Sequence, residues 1–266
     1  MNNILFKTIL INDLKALLIL LGIPAIFIFS LTIINRRTKG MLAASFGFKS
    51  QIYLGCFGII IHELSHLVVA IIFGHHIQSV RLLKFPHVDP MNKEASDLSL
   101  GYVNHVWNPN SYYQVVGNLF IGVAPVFGCT ATLLGLMHLL APKSYEAVLT
   151  LAEAPSKMNF FSSLNTLLMP VGWWQPLLLL ILTINIVIGG FDLSNADYQN
   201  SSKGLYTTIA LIVIATSLLT FIGITSWLHE LLLWFTTLSV ILGYSLVLSI
   251  IIMLITLVLR HFRRGY

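Results

Sequence analysis

Three residues in the stretch GIIIHELSHLVVAIIFG, residues 58–74, can do chemistry together: His62, Glu63 and His66. The two histidines are four positions apart, so on a helix they leave one face about one turn from each other. That spacing lets two imidazoles bind a single metal ion. Glu63, next to the first histidine, is placed to take a proton from a water that the metal acidifies. Imidazole and carboxylate ligands with a fourth position left open suit zinc, which brings a water to a pKa of about 7 and polarises a carbonyl.

The surroundings raise the weight of this motif. In a soluble helix HExxH arises by chance, and a solitary buried histidine is ordinarily a hydrogen-bonded core residue. Here the flanks are apolar, and a charged group near a bilayer centre costs about 2.5–3.5 kcal/mol. Three titratable side chains within residues 62–66 therefore argue for a site rather than for packing. His66 precedes Phe73 by seven residues, which places it ~10 Å inside that end of a helix. Hydrolysis at that depth requires a polar cavity open towards the 75–114 segment.

The elements that must position these residues follow from composition. The chain is 56% hydrophobic and 9% charged, against about 25% charged in soluble domains. That excludes a water-soluble globular protein and predicts an all-α, polytopic membrane protein. Apolar stretches at about 16–34, 52–73, 115–141, 174–191, 205–228 and 231–259 qualify or come close as spans of roughly 20 residues, giving about six transmembrane helices in a single domain, 1–266. The first reads as a retained anchor rather than a signal peptide, because its apolar part is long and NRRTKG follows it. The intervals 35–50, 75–114, 142–172 and 192–204 read as polar connections, and TSWLHELLL as an interfacial turn between the last two spans. With the N terminus inside, nine Lys and Arg residues fall on the cytoplasmic side and six outside. This predicts a multi-pass plasma-membrane protein with both termini cytoplasmic. The net charge of +5 fits loops facing anionic lipid and is no argument for nucleic acid.

With HELSH at 62–66, GVAPVFG at 122–128 and GGFDLSNADYQN at 189–200, in that order, the chain resembles the site-2 protease family of intramembrane zinc metalloproteases over about residues 52–204. The resemblance implies zinc as cofactor, hydrolysis of peptide bonds in membrane-embedded protein or peptide substrates, and an aspartate as third ligand. Two aspartates compete for that place. Asp192 stands seven positions past Asn185, near the family spacing, and otherwise reads as an interfacial turn residue. Asp197, favoured here, lies in SNAD, a Ser-x-x-Asp arrangement that is also a helix capping box. The expected site is thus His62, His66 and Asp197 on zinc with Glu63 as the catalytic base. The chain departs from the family in lacking prolines and Leu-Asp-Gly after Asn185. That keeps open a catalytically degenerate member, and a metal-binding or transport membrane protein is the alternative of a different class.

Within 75–114, IQSVRLLKF and LSLGYVNHVW alternate around PHVDPMNKE and predict a small β-hairpin beside the site. Such an edge suits substrate bound as an added strand. Asn118 and Asn185 are read as polar contacts between helices, with a direct site role as the second option. His75 and His76 are read as loop residues, and His87, His105 and His138 as lacking a partner at ligand spacing.

Overall fold

Apolar runs almost free of internal breakers fold as long helices. The computed structural model describes residues 2–86, 99–153, 158–159, 161–162 and 172–264. Helix α1 (Asn2–Leu17) passes through a π-helical turn at Leu18–Gly22 into α2 (Ile23–Phe46). After α3 (Ser50–Ile72) come strands β1 (His76–Arg81) and β2 (Tyr102–Val106). Five helices complete the chain: α4 (Tyr112–Leu140), α5 (Pro142–Glu153), α6 (Trp174–Gly190), α7 (Asn195–Phe221) and α8 (Trp227–Arg264). Among the described residues five helical stretches are long and apolar enough to cross a membrane, and α6 is a shorter apolar helix. Ile26, Phe29, Ile72, Leu139, Phe221 and Phe262 are each more than half exposed, an outer surface suited to lipid rather than water. The protein is an all-α polytopic membrane protein with one small antiparallel sheet.

Several expected boundaries are corrected: the intervals 142–172 and 192–204 are not simply connections, since α5 occupies Pro142–Glu153 and α7 begins at Asn195. The interval 35–50 is no loop: α2 runs through NRRTKG to Phe46, with Asn35, Thr38 and Lys39 buried. Charged residues stay helical there because they find partners inside the bundle. TSWLHELLL is no turn either, since α8 begins at Trp227. The chain reverses before it, where Gly223 adopts a positive φ of 86°. His87, Lys93 and Lys157 lie outside the described residues, as does the PHVDPMNKE turn beyond Pro86.

Helix α3 is the centre of the arrangement, packed mainly against α6 and α4, while α4 packs along α7. The α3–α6 crossing is made by glycines on both helices. A Cβ on Gly58 would stand 2.6 Å from Ile186 O and 2.7 Å from Asn185 O, and one on Gly55 would stand 3.0 Å from Gly189 Cα. Small residues let the backbones touch, which is how membrane helices gain packing without a hydrophobic drive between them. Val126, Cys129, Leu133, Ile186, Val187, Phe191 and Leu193 form the adjoining core, closed by Leu31 of α2 and Leu242 of α8.

The hairpin starts where α3 stops. Gly74, at φ 69°, turns the chain out of the helix, with Gly74 N donating to Ile71 O and His75 N to Ala70 O in a Schellman arrangement. Strand β1 then pairs antiparallel with β2, Ile77 opposite His105 and Val80 opposite Val103, with a bulge between Ile77 and Ser79. The predicted hairpin is present, and no third strand joins it among the described residues.

Overpacking the glycine crossing tests this frame. Gly58→Val should destabilise the folded protein by about 1–3 kcal/mol, read from thermal unfolding in detergent. Gly135→Ala, at a position with nothing within 4 Å of an added Cβ, should be neutral or slightly stabilising.

Candidate metal centre

His62 and His66 leave the same face of α3, and both are buried. Each ring is held by its outer nitrogen. His62 Nδ1 lies 2.8 Å from Gly190 O, at the end of α6, and His66 Nδ1 lies 2.7 Å from Ile121 O on α4. A carbonyl can only accept, so both Nδ1 atoms carry the proton. In the neutral rings both Nε2 atoms therefore present lone pairs, and these face each other 3.1 Å apart.

Asp197 completes the group. It lies in the first turn of α7, whose N-cap is Ser194: Asp197 N donates to Ser194 Oγ at 3.2 Å and Ser194 N donates to Asp197 Oδ2 at 2.6 Å. This capping box fixes the carboxylate's rotamer and turns Oδ1 to within 3.1 Å of His66 Nε2, with Oδ2 3.8 Å from His62 Nε2. The capping and site readings of Asp197 are thus the same arrangement. One ligand atom from each of the three residues lies within 4.8 Å of the others. Three electron-rich atoms converging in a buried place fit a divalent cation, and the fixed tautomers are those a metal-binding histidine adopts.

Asp192 is not part of this group. Its carboxylate faces α2, 3.2 Å from Arg36 Nε and 3.6 Å from Lys39 Nζ. The segment between Gly190 and Asn195 is non-helical, with Phe191 and Leu193 buried.

Glu63 is buried beside the histidines and meets the hairpin at Gly101, just before β2. A Cβ on Gly101 would stand 2.6 Å from Glu63 Cγ and 3.0 Å from Arg81 O, so only glycine lets the strand come down onto the glutamate. A cleft of about 750 Å³ opens over the centre. Its walls include Tyr102–His105 of β2, Asn195 and Asn200 of α7, and Arg36 and Lys39 of α2.

The remaining polar residues divide. Asn185 Oδ1 accepts from Phe57 N at 2.7 Å, the helix-to-helix contact expected of it. Asn118 is fully buried, bonds back within α4, and finds no partner for Oδ1 among the described residues. His75 and His105, thirty residues apart, lie with their Nδ1 atoms 2.9 Å from each other, while His75 Nε2 donates to Gln114 O. His75 is therefore neither free nor simply a loop residue: it ties the hairpin to the start of α4. Local spacing offers no sign of this pair, nor of Gly101. Arg36 and Lys39 had a signal in their i, i+3 spacing, visible only once α2 is read through NRRTKG.

Comparison of the chain with protein-family models, with curated proteins and with solved structures finds no match.

The histidine pair has a pH consequence. Burial first, then the charges of His75, His66 and Lys203, hold His105 down to about 4, and burial also lowers His75. The folded form thus binds fewer protons than the unfolded one below the ordinary histidine range. The pair's contribution is complete above a pH of about 6.5 and is lost as pH falls towards 4. Amide exchange in β1 and β2 should accelerate over that window, and His105→Ala should weaken the pH dependence, leaving the share that burial of His75 supplies.

Proposed function

We propose that the protein is an intramembrane zinc metalloprotease that cleaves peptide bonds in or near transmembrane segments of membrane-tethered proteins or peptides. The observation that carries this reading is the convergence of His62, His66 and Asp197 beside an acidic residue, Glu63, that lies outside this group and lines the same cleft. A site built only to store or pass a metal gives Glu63 no task. A hydrolase gives it one.

The protein's own groups divide the work. His62 Nε2, His66 Nε2 and an Asp197 oxygen would hold zinc, which when bound polarises the scissile carbonyl and acidifies a water. Glu63 takes the proton from the attacking water onto its carboxylate and passes it to the nitrogen of the leaving amine. The backbone carbonyls of Gly190 and Ile121 keep the two imidazoles in the tautomer that this requires.

Substrate has to arrive extended. A peptide bond inside a helix is shielded and already hydrogen-bonded, so cleavage needs local unwinding. Among the described residues strand β2 pairs with β1 along one side only, and its residues Tyr102–His105 line the cleft. A peptide that pairs with the other edge regains the backbone hydrogen bonds it lost, and alternate side chains then point to the two walls. Lys and Arg placement supports a plasma-membrane protein with cytoplasmic termini. Removing Arg36 and Lys39, which pair with Asp192, shrinks the external set from six to four against nine.

The test is metal content and cleavage measured on the same preparations. Wild type should hold one zinc per chain. His62→Ala, His66→Ala and Asp197→Ala should each lose it. Glu63→Gln should keep zinc while cleavage of a model transmembrane substrate falls by about 10²–10⁴-fold. Full cleavage by Glu63→Gln, or a wild type without metal, would sink the reading.

A further inference from the structure

The break between α6 and α7 carries two duties at once. Gly190 O orients His62, and Ser194 caps the turn that orients Asp197. Yet a helix end leaves its last carbonyls without intrahelical partners, and irregular backbone at membrane depth is stable only where something else satisfies it. In this break the partners come from α2. Lys39 Nζ donates to Gly189 O at 3.2 Å, and Arg36 Nη2 donates to Leu193 O at 2.5 Å. Both cations also hold Asp192, which lies between those two carbonyls in sequence. Arg36 and Lys39 are three positions apart, so one face of one helix supplies both. Cations are favoured at a helix C terminus, where the carbonyl dipoles converge.

We propose that Arg36 and Lys39 are positioning residues for the metal centre. They hold the 189–193 segment at Gly189, Asp192 and Leu193, and through it they set the places of His62 and Asp197. Neither cation touches a ligand side chain; each acts through the backbone that the ligands depend on. The inference rests on the metal site of the metalloprotease reading, though on no step of hydrolysis. It also accounts for Arg36 and Lys39 of NRRTKG, charged residues in a membrane-spanning helix that the catalytic groups leave unexplained.

Zinc affinity of the full chain in detergent, by chelator competition, and the visible spectrum of the cobalt-loaded protein provide the readouts. The variants are Lys39→Met, Lys39→Arg, Arg36→Gln and Asn35→Ala. Asn35 lies on the same helix, buried and bonded to Leu31 O and Ser249 Oγ, away from the break. Lys39→Met and Arg36→Gln should weaken zinc by about tenfold or more and change the cobalt spectrum. Lys39→Arg should restore most of the affinity. Asn35→Ala should lower thermal stability and leave affinity unchanged. Unchanged affinity in both cation variants, or an equal loss in Asn35→Ala, would overturn the proposal. Should Lys39→Met fail to fold, the half-exposed Arg36 decides through Arg36→Gln. A wild type that binds no zinc sinks the metalloprotease reading instead. The clamp is then judged by amide exchange across 189–197, which the cation variants must accelerate more than Asn35→Ala does, and equal exchange overturns it.

Discussion

Two imidazole nitrogens that face each other with no proton between them make an unstable arrangement. His62 and His66 are in that position because each has committed its Nδ1 proton to a backbone carbonyl. Asp197 adds a carboxylate to the same spot. In a buried place such a convergence of lone pairs and negative charge stands only if a cation joins it, either a metal ion or an extra proton. The rest of the molecule can be understood as the scaffold for this cluster. Helix α3 supplies both rings from one face. Helix α4 brings Ile121 O to one of them, and α6 must end where it does for Gly190 O to reach the other.

That last requirement explains the glycines. For a carbonyl at the tip of α6 to accept from a side chain of α3, the two backbones have to come closer than side chains normally allow. Gly55 and Gly58 on one helix and Gly189 and Gly190 on the other remove the obstruction. The same pair ends α6, so close approach and helix termination are achieved together. A short irregular stretch from Phe191 then leads to the Ser194 capping box, which restarts the helix as α7. Asp197 thus sits in the first turn of a capped helix, among the most rigid places a carboxylate can occupy.

Much of this was legible from residue types alone. The i, i+4 histidines with their adjacent glutamate, the six apolar helices and the hairpin all follow from local periodicity, because each depends on near neighbours in the chain. The choice between Asp192 and Asp197 was harder, since both stand at plausible spacing. Geometry separates them by what lies opposite: Asp192 faces two cations of α2, and Asp197 faces two imidazoles. NRRTKG misled for a related reason. A run of charge next to an apolar span resembles a loop, and only the distant acidic and carbonyl partners make it helical. His75 and His105 show the same limit, because their contact is created by the hairpin's register and not by any short-range pattern.

Three of the places where this fold breaks helical regularity meet at the cleft. Helix α6 stops there, α7 begins there, and the hairpin's edge comes down there onto Glu63 through Gly101. In a bilayer each of these is costly, because backbone groups outside helices lack water to bond. An enzyme that acts on extended peptide cannot avoid that cost, since its substrate has to shed its own helical hydrogen bonds before a carbonyl is reachable. On the proposed reading the two problems solve each other: the edge of β2 that pairs with no described strand and the peptide drawn into the cleft are each deficient in the bonds the other offers. A bundle made only of regular helices would spare itself the irregular backbone, and would have nothing with which to hold an unwound strand over the metal.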